Sequence, residues 1–112
     1  MIGTSFNRVN TYSSNLVPFN TETTILSYLV PTGHNFNIRE VKVWGDYYCE
    51  VLIKINGIQI GGTRIQCTER DRTIDYTEEP IPVRSAQLVT ISIIHDGHGS
   101  INFHSNLLGE LD

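Results

Sequence analysis

Apolar and polar residues alternate through Cys49 to Ile60, CEVLIKINGIQI, and the alternation turns back on itself at Asn56-Gly57. Asn-Gly tolerates the positive φ that a type I′ turn needs at both central positions, and that turn's twist matches the strands it joins, so a β-hairpin is expected. Its register puts Val51, Ile53 and Ile55 on one face and Glu50 and Lys54 on the other, with Ile58 and Ile60 joining the buried face from the return strand. The same period of two predicts further strands over Ser5 to Tyr12, Thr23 to Val30, Phe36 to Trp44, Arg72 to Thr77, Leu88 to His95 and Ser100 to Leu107. The hairpin's second strand is expected to run on through Gly61-Gly62 to about Cys67. Parity slips between Ile38 and Val41, which predicts a bulge or a change of sheet near Arg39-Glu40. Glu79 to Val83, EPIPV, carries two prolines and is expected as an extended edge segment or a loop. Asp96-Gly97-His98-Gly99 is expected to fold the Leu88 strand back onto the Ser100 strand as a second hairpin. Seven or eight short strands without a helix, linker or internal repeat predict an all-β fold. The expected architecture is a single antiparallel β-sandwich or jelly roll, one domain over residues 1–112.

Composition narrows the partners. At 112 residues and 39% hydrophobic, the chain has enough apolar material for one core. Twelve acidic residues outnumber eight basic ones, which are scattered, so no basic stripe is available to neutralise a phosphate backbone and nucleic acid is not an expected partner. The N-terminus lacks a basic region followed by an apolar core, and every apolar run falls far short of the ~20 residues of a membrane-spanning helix. Neither a secretory signal nor a membrane partner is expected. Counting outward from the hairpin turn, Cys49 faces Arg64 and Cys67 faces Asp46, an offset of roughly 10 Å at ~3.4 Å per residue. A disulfide needs Cα atoms within ~7 Å, so both cysteines are expected to be reduced and at least partly buried, as suits a reducing cytosol.

Candidate chemistry is sparse. His95, Asp96, His98 and His104 are residue types that ligate transition metals, but their spacing along a hairpin places His104 opposite about Ile91, away from the other three. Asp96 and the glycines are expected to build the turn, leaving the histidines as exposed polar positions and no metal site. Neither cysteine has a histidine near it in sequence, and no Gly-x-Ser-x-Gly nucleophile elbow is present. Glu78 and Glu79, adjacent on an extended segment, point to opposite faces and cannot share one ligand as general acid and base. No enzyme activity and no cofactor are expected.

Binding is the better prospect. Trp44, Tyr47 and Tyr48, around Gly45-Asp46, offer large apolar faces with polar handles, the residue types that take up a sugar ring or a protein partner. The structural alternative is that Trp44 caps the core while Tyr47 and Tyr48 pack over an open edge. Glu79, Pro80 and Ile81, in the irregular segment, form a second candidate contact surface.

The succession Val30-Pro31-Thr32-Gly33, then Phe36-Asn37-Ile38 with Val41 and Val43, then the Ile55-Asn56-Gly57 hairpin, continues with Pro80-Ile81-Pro82-Val83, Val89-Thr90-Ile91-Ser92-Ile93, Ile101-Asn102-Phe103 and Leu107-Leu108-Gly109. In this order, over residues 24 to 109, it resembles small bacteriophage virion accessory proteins, the capsid decoration, head-fibre or tail components. Where such proteins commonly carry an alanine-glycine-aspartate turn before the late strand, this chain has Ser85-Ala86-Gln87. The resemblance implies a jelly-roll structural protein of the virion, made in the host cytoplasm, that binds the major capsid protein or another virion protein. It carries over no catalytic residues. A homo-oligomer, in particular a homotrimer, is the expected assembly, and a tail-associated module binding a carbohydrate or host receptor is the alternative.

Overall fold

A computed structural model describes residues 7–67 and 72–112, with the backbone alone for residues 7, 62–67 and 72. Nine strands follow in chain order: β1 (Asn7–Val17), β2 (Thr23–Leu29), β3 (Phe36–Gly45), β4 (Tyr47–Ile55), β5 (Ile58–Cys67), β6 (Arg72–Asp75), β7 (Ile81–Val83), β8 (Leu88–Ile94) and β9 (Ile101–Leu111). They build two antiparallel sheets, one ordered β1-β9-β3-β6 with β7 also on β3, the other β2-β8-β4-β5. Because β6 and β7 both pair with β3, over Val41 and over Ile38 respectively, the nine strands fill eight positions. Each sheet interleaves early and late strands, and the order is that of a jelly roll.

The period of two separates a buried face from a solvated one. Phe36, Ile38, Val41, Val43, Phe103 and Leu107 face inward from the first sheet, against Val51, Ile53, Val89, Ile91 and Ile93 from the second. Each such side chain removed from water contributes on the order of 1.5–3 kcal/mol. The parity slip in β3 is a register shift at Arg39, between the Ile38 and Glu40 pairings with β9. A similar shift in β2, between Thr24 and Leu26, lets the consecutive Ile25 and Leu26 both be buried. Gly109 is required by close approach: a Cβ there would stand 2.4 Å from the Asn37 carbonyl oxygen and 2.3 Å from Phe36 Cζ.

Asn56 (φ 49°) and Gly57 (φ 82°) make the turn between β4 and β5 with both central residues left-handed, as type I′ requires. Several expectations around that hairpin change. Ile58 and Ile60 are 71% and 38% exposed, not buried. The opposite sheet thins at that edge to β6 and β7, only four and three residues long, and cannot cover them. A bulge at Ile60 shifts the register, so Cys49 faces Ile65 and Cys67 faces Tyr47. Two residues separate the two positions along the hairpin; Cys49 is buried, and the Cys67 side chain lies outside the described residues, as do Ser5 and Phe6 of the expected first strand.

The second expected hairpin does not form. β8 is flanked by β2 and β4, and β9 by β1 and β3, so residues 95–100 cross from one sheet to the other. Neither strand has a free side left for the other, and a connection of that length spans the ~10 Å between packed sheets.

Candidate functional site

The sheet crossing changes what the histidines do. His95 is buried, not an exposed turn residue: its Nε2 lies 2.7 Å from the Val17 carbonyl oxygen and its Nδ1 accepts the Gly97 N–H at 3.1 Å. With both ring nitrogens engaged, it is a brace between the end of β1 and the crossing loop. His98 is exposed on the loop. His104 lies on the outer face of the first sheet, paired with Trp44 on β3 and Ser14 on β1 and nowhere near Ile91. His95 packs with Phe103 on the inner face of β9 while His104 points out from the next residue, so the two cannot address one ion.

Trp44, Tyr47 and Tyr48 are likewise divided between surfaces. Val43 is buried and Trp44, next to it on β3, points outward, so the indole does not cap the core. Tyr47 and Tyr48 open β4 in the other sheet, where Tyr47 sits edge-on to both Tyr48 and His95. Beside them a recess of about 190 Å³ is lined by Asn20, Tyr48, Glu50 and Asp96, with His95 at its base. Glu79 is exposed and Pro80 and Ile81 are half-buried. Glu79 and Ile81, but not Pro80, border with Glu78, Tyr76 and Ile60 an open groove of about 610 Å³, in which burial raises the Tyr76 phenol above its ordinary range. Asp75, also on that groove, is held below the usual carboxylate range by the Thr77 hydroxyl and, second, by the Thr77 N–H at 2.8 Å.

Trp44 belongs to a different cluster. Across β1, β9 and β3 it meets His104 and Tyr12 on the solvated face of the first sheet. The ring centres are 5.3 Å (Trp44 to His104), 5.8 Å (Trp44 to Tyr12) and 6.0 Å (Tyr12 to His104) apart, and the planes lie within 30° of parallel. Three such distances form a triangle, which rules out a single column of rings. Tyr12 Oη is 2.7 Å from His104 Nδ1, so these two rings lie side by side, joined edge to edge. The indole overlaps both in an offset stack, a geometry that suits the ring quadrupoles. Tyr12 remains 56% exposed.

Amides surround the rings. Asn10 and Asn106, bonded to each other at 2.7 Å, lie beside Tyr12, and the Asn102 amide nitrogen is 3.5 Å from His104 Nε2. Farther along the same face, Arg39 and Glu110 approach to 3.3 Å, an ion pair by distance whose Nε–H is not aimed at the carboxylate, while the guanidinium donates to the Thr77 carbonyl. Tyr12 was not singled out by its sequence, and His104 was weighed there only as a metal ligand. Each lies on the polar parity of its strand, and only the pairing of β1 with β9 brings them together.

In comparisons with known proteins, no family model and no curated protein sequence matches the chain.

Proposed function

We propose that this chain is a non-enzymatic structural protein of a bacteriophage virion, a decoration module that docks on the assembled particle as a homo-oligomer, trimer favoured. The observation that carries the reading is the jelly-roll strand order, an architecture that capsid and lectin domains use, taken with the resemblance of the strand and turn succession to virion accessory proteins. A surface role is also in keeping with the work of His95, whose two ring nitrogens are both engaged in holding the loop. The docking surface is the groove bordered by Ile60, Tyr76, Glu78, Glu79 and Ile81, with the exposed Ile58 two residues from Ile60 on β5. It combines apolar side chains left uncovered by the short β6 and β7 with a carboxylate rim, the mixture of anchor and rim on which protein interfaces depend.

Purified protein mixed with particles lacking it should co-sediment without nucleotide or cofactor, and Ile60→Arg with Glu79→Lys should abolish the association while leaving the melting temperature unchanged. Absence of co-sedimentation by the wild-type protein would overturn the reading.

A further inference from the structure

We infer that the Tyr12–His104–Trp44 cluster is a second, separate binding site, and that its ligand is a neutral pyranose oligosaccharide. The rings are not core: they stand on the solvated face of β1, β9 and β3, opposite in direction to Phe103 and Val43. They are held in place beforehand, Tyr12 by its bond to His104 and His104 by the overlying indole, so a ligand need not order them. A sugar ring has C–H-rich faces that stack on aromatic rings and a rim of hydroxyls that needs donors and acceptors. The site supplies both. Asn10 and Asn106 use one amide group each on one another, which leaves the Asn10 Nδ2 and the Asn106 Oδ1 directed to no other described group.

Charge decides the class of sugar. The residues nearest the rings, Ser14, Asn102, Asn106 and Asn10, are uncharged; Lys42, paired with Asn106, and Glu40, level with Asn10 across Leu108, border them on β3 with opposite charges, while Asp75 and Glu110 lie farther off. A patch of rings and amides whose charged border is balanced in sign complements an uncharged polyhydroxylated ligand better than an ionic one.

Trp44 is the sole tryptophan, so its emission reports on this site directly. Cellotetraose, chitotetraose, maltotetraose and mannotetraose would each be titrated against the full chain, with trigalacturonic acid as the charged counterpart. A saturable change in emission is expected with at least one neutral oligosaccharide and none with the acidic one. Tyr12→Ala should weaken that binding by about tenfold, the loss of one stacking ring, whereas Tyr12→Phe, which keeps the ring, should retain it within about threefold. Tyr48→Ala, on the other sheet, should leave it unchanged. The inference fails if no neutral oligosaccharide changes the emission up to about 10 mM, or if Tyr12→Ala binds as tightly as wild type. It fails equally if Tyr12→Ala abolishes co-sedimentation with particles while no sugar binds, since the face would then hold a protein. Particle docking through the groove is read independently, from the Ile60 and Glu79 variants.

Discussion

Replacing Asn56 separates two contributions that meet in one residue. Asn56 sits at φ 49°, and its side-chain Oδ1 accepts the Leu88 N–H at 2.8 Å while its own N–H donates to the Leu88 carbonyl at 2.8 Å. The turn is therefore clamped to the start of β8. Alanine forfeits the side-chain bond, worth about 0.5–1.5 kcal/mol net, and must hold a left-handed conformation at a cost of roughly 1–2 kcal/mol. Asn56→Ala should lower stability by about 2.5 kcal/mol. Glycine enters the left-handed region freely and loses only the clamp, so Asn56→Gly should cost about 1 kcal/mol. Aspartate keeps both the acceptor and the tolerance of positive φ, and should fall within about 0.5 kcal/mol of wild type. Urea unfolding followed by circular dichroism gives each value from the shift in midpoint at constant slope. Equal losses for alanine and glycine would show that backbone strain contributes nothing there. A neutral alanine variant would refute both the turn type and the clamp.

Three further outcomes are expected. Ala86 holds φ 64° as the third residue of a turn closed by the Gln87 N–H on the Arg84 carbonyl, so Ala86→Gly should raise stability by about 0.5–1 kcal/mol, measured in the same urea assay. Gly109→Ala would drive a methyl into the Asn37 carbonyl and the Phe36 ring; a loss of about 1–3 kcal/mol and a melting point lower by several degrees should follow. Because the Thr77 bonds depress the Asp75 pKa in the folded state, their contribution is complete above the unfolded pKa and is lost as pH falls through the folded one. Carboxyl NMR should show Asp75 titrating below an ordinary aspartate, and Thr77→Val should move its midpoint upward.

Local features of the fold were legible in the sequence. The Asn56-Gly57 turn, the slip at Arg39 and the proline-bearing edge strand Ile81–Val83 each depend on residues close together in the chain, whose backbone preferences act wherever the segment ends up. What depended on distant pairing was not. His95 through Ser100 contains good turn residues, but whether they close a hairpin or cross between sheets is decided by which strands already flank β8 and β9. The burial of Ile58 and Ile60 was misjudged for a similar reason, since it rests on how short the opposing strands are. Trp44 was identifiable as a candidate, but its partners Tyr12 and His104, 92 positions apart, become neighbours only through the register of β1 on β9.

The interleaved strand order also sets a sequence of events during synthesis. The β4–β5 hairpin is the only pairing between chain neighbours among the described strands. β1 has no sheet partner until residues 101–111 have emerged, and β2 waits for residues 88–94. Until β8 and β9 insert, the nascent chain can form only the β4–β5 hairpin and the short pairings of β3 with β6 and β7, leaving β1 and β2 unpaired, the condition in which nonlocal β-proteins fold slowly and are most exposed to misassociation. Insertion of β9 closes the first sheet and, in the same step, brings Tyr12, His104 and Trp44 into contact. The aromatic face thus exists only on completed molecules, and Trp44 fluorescence during refolding would date its assembly to the last strand placed.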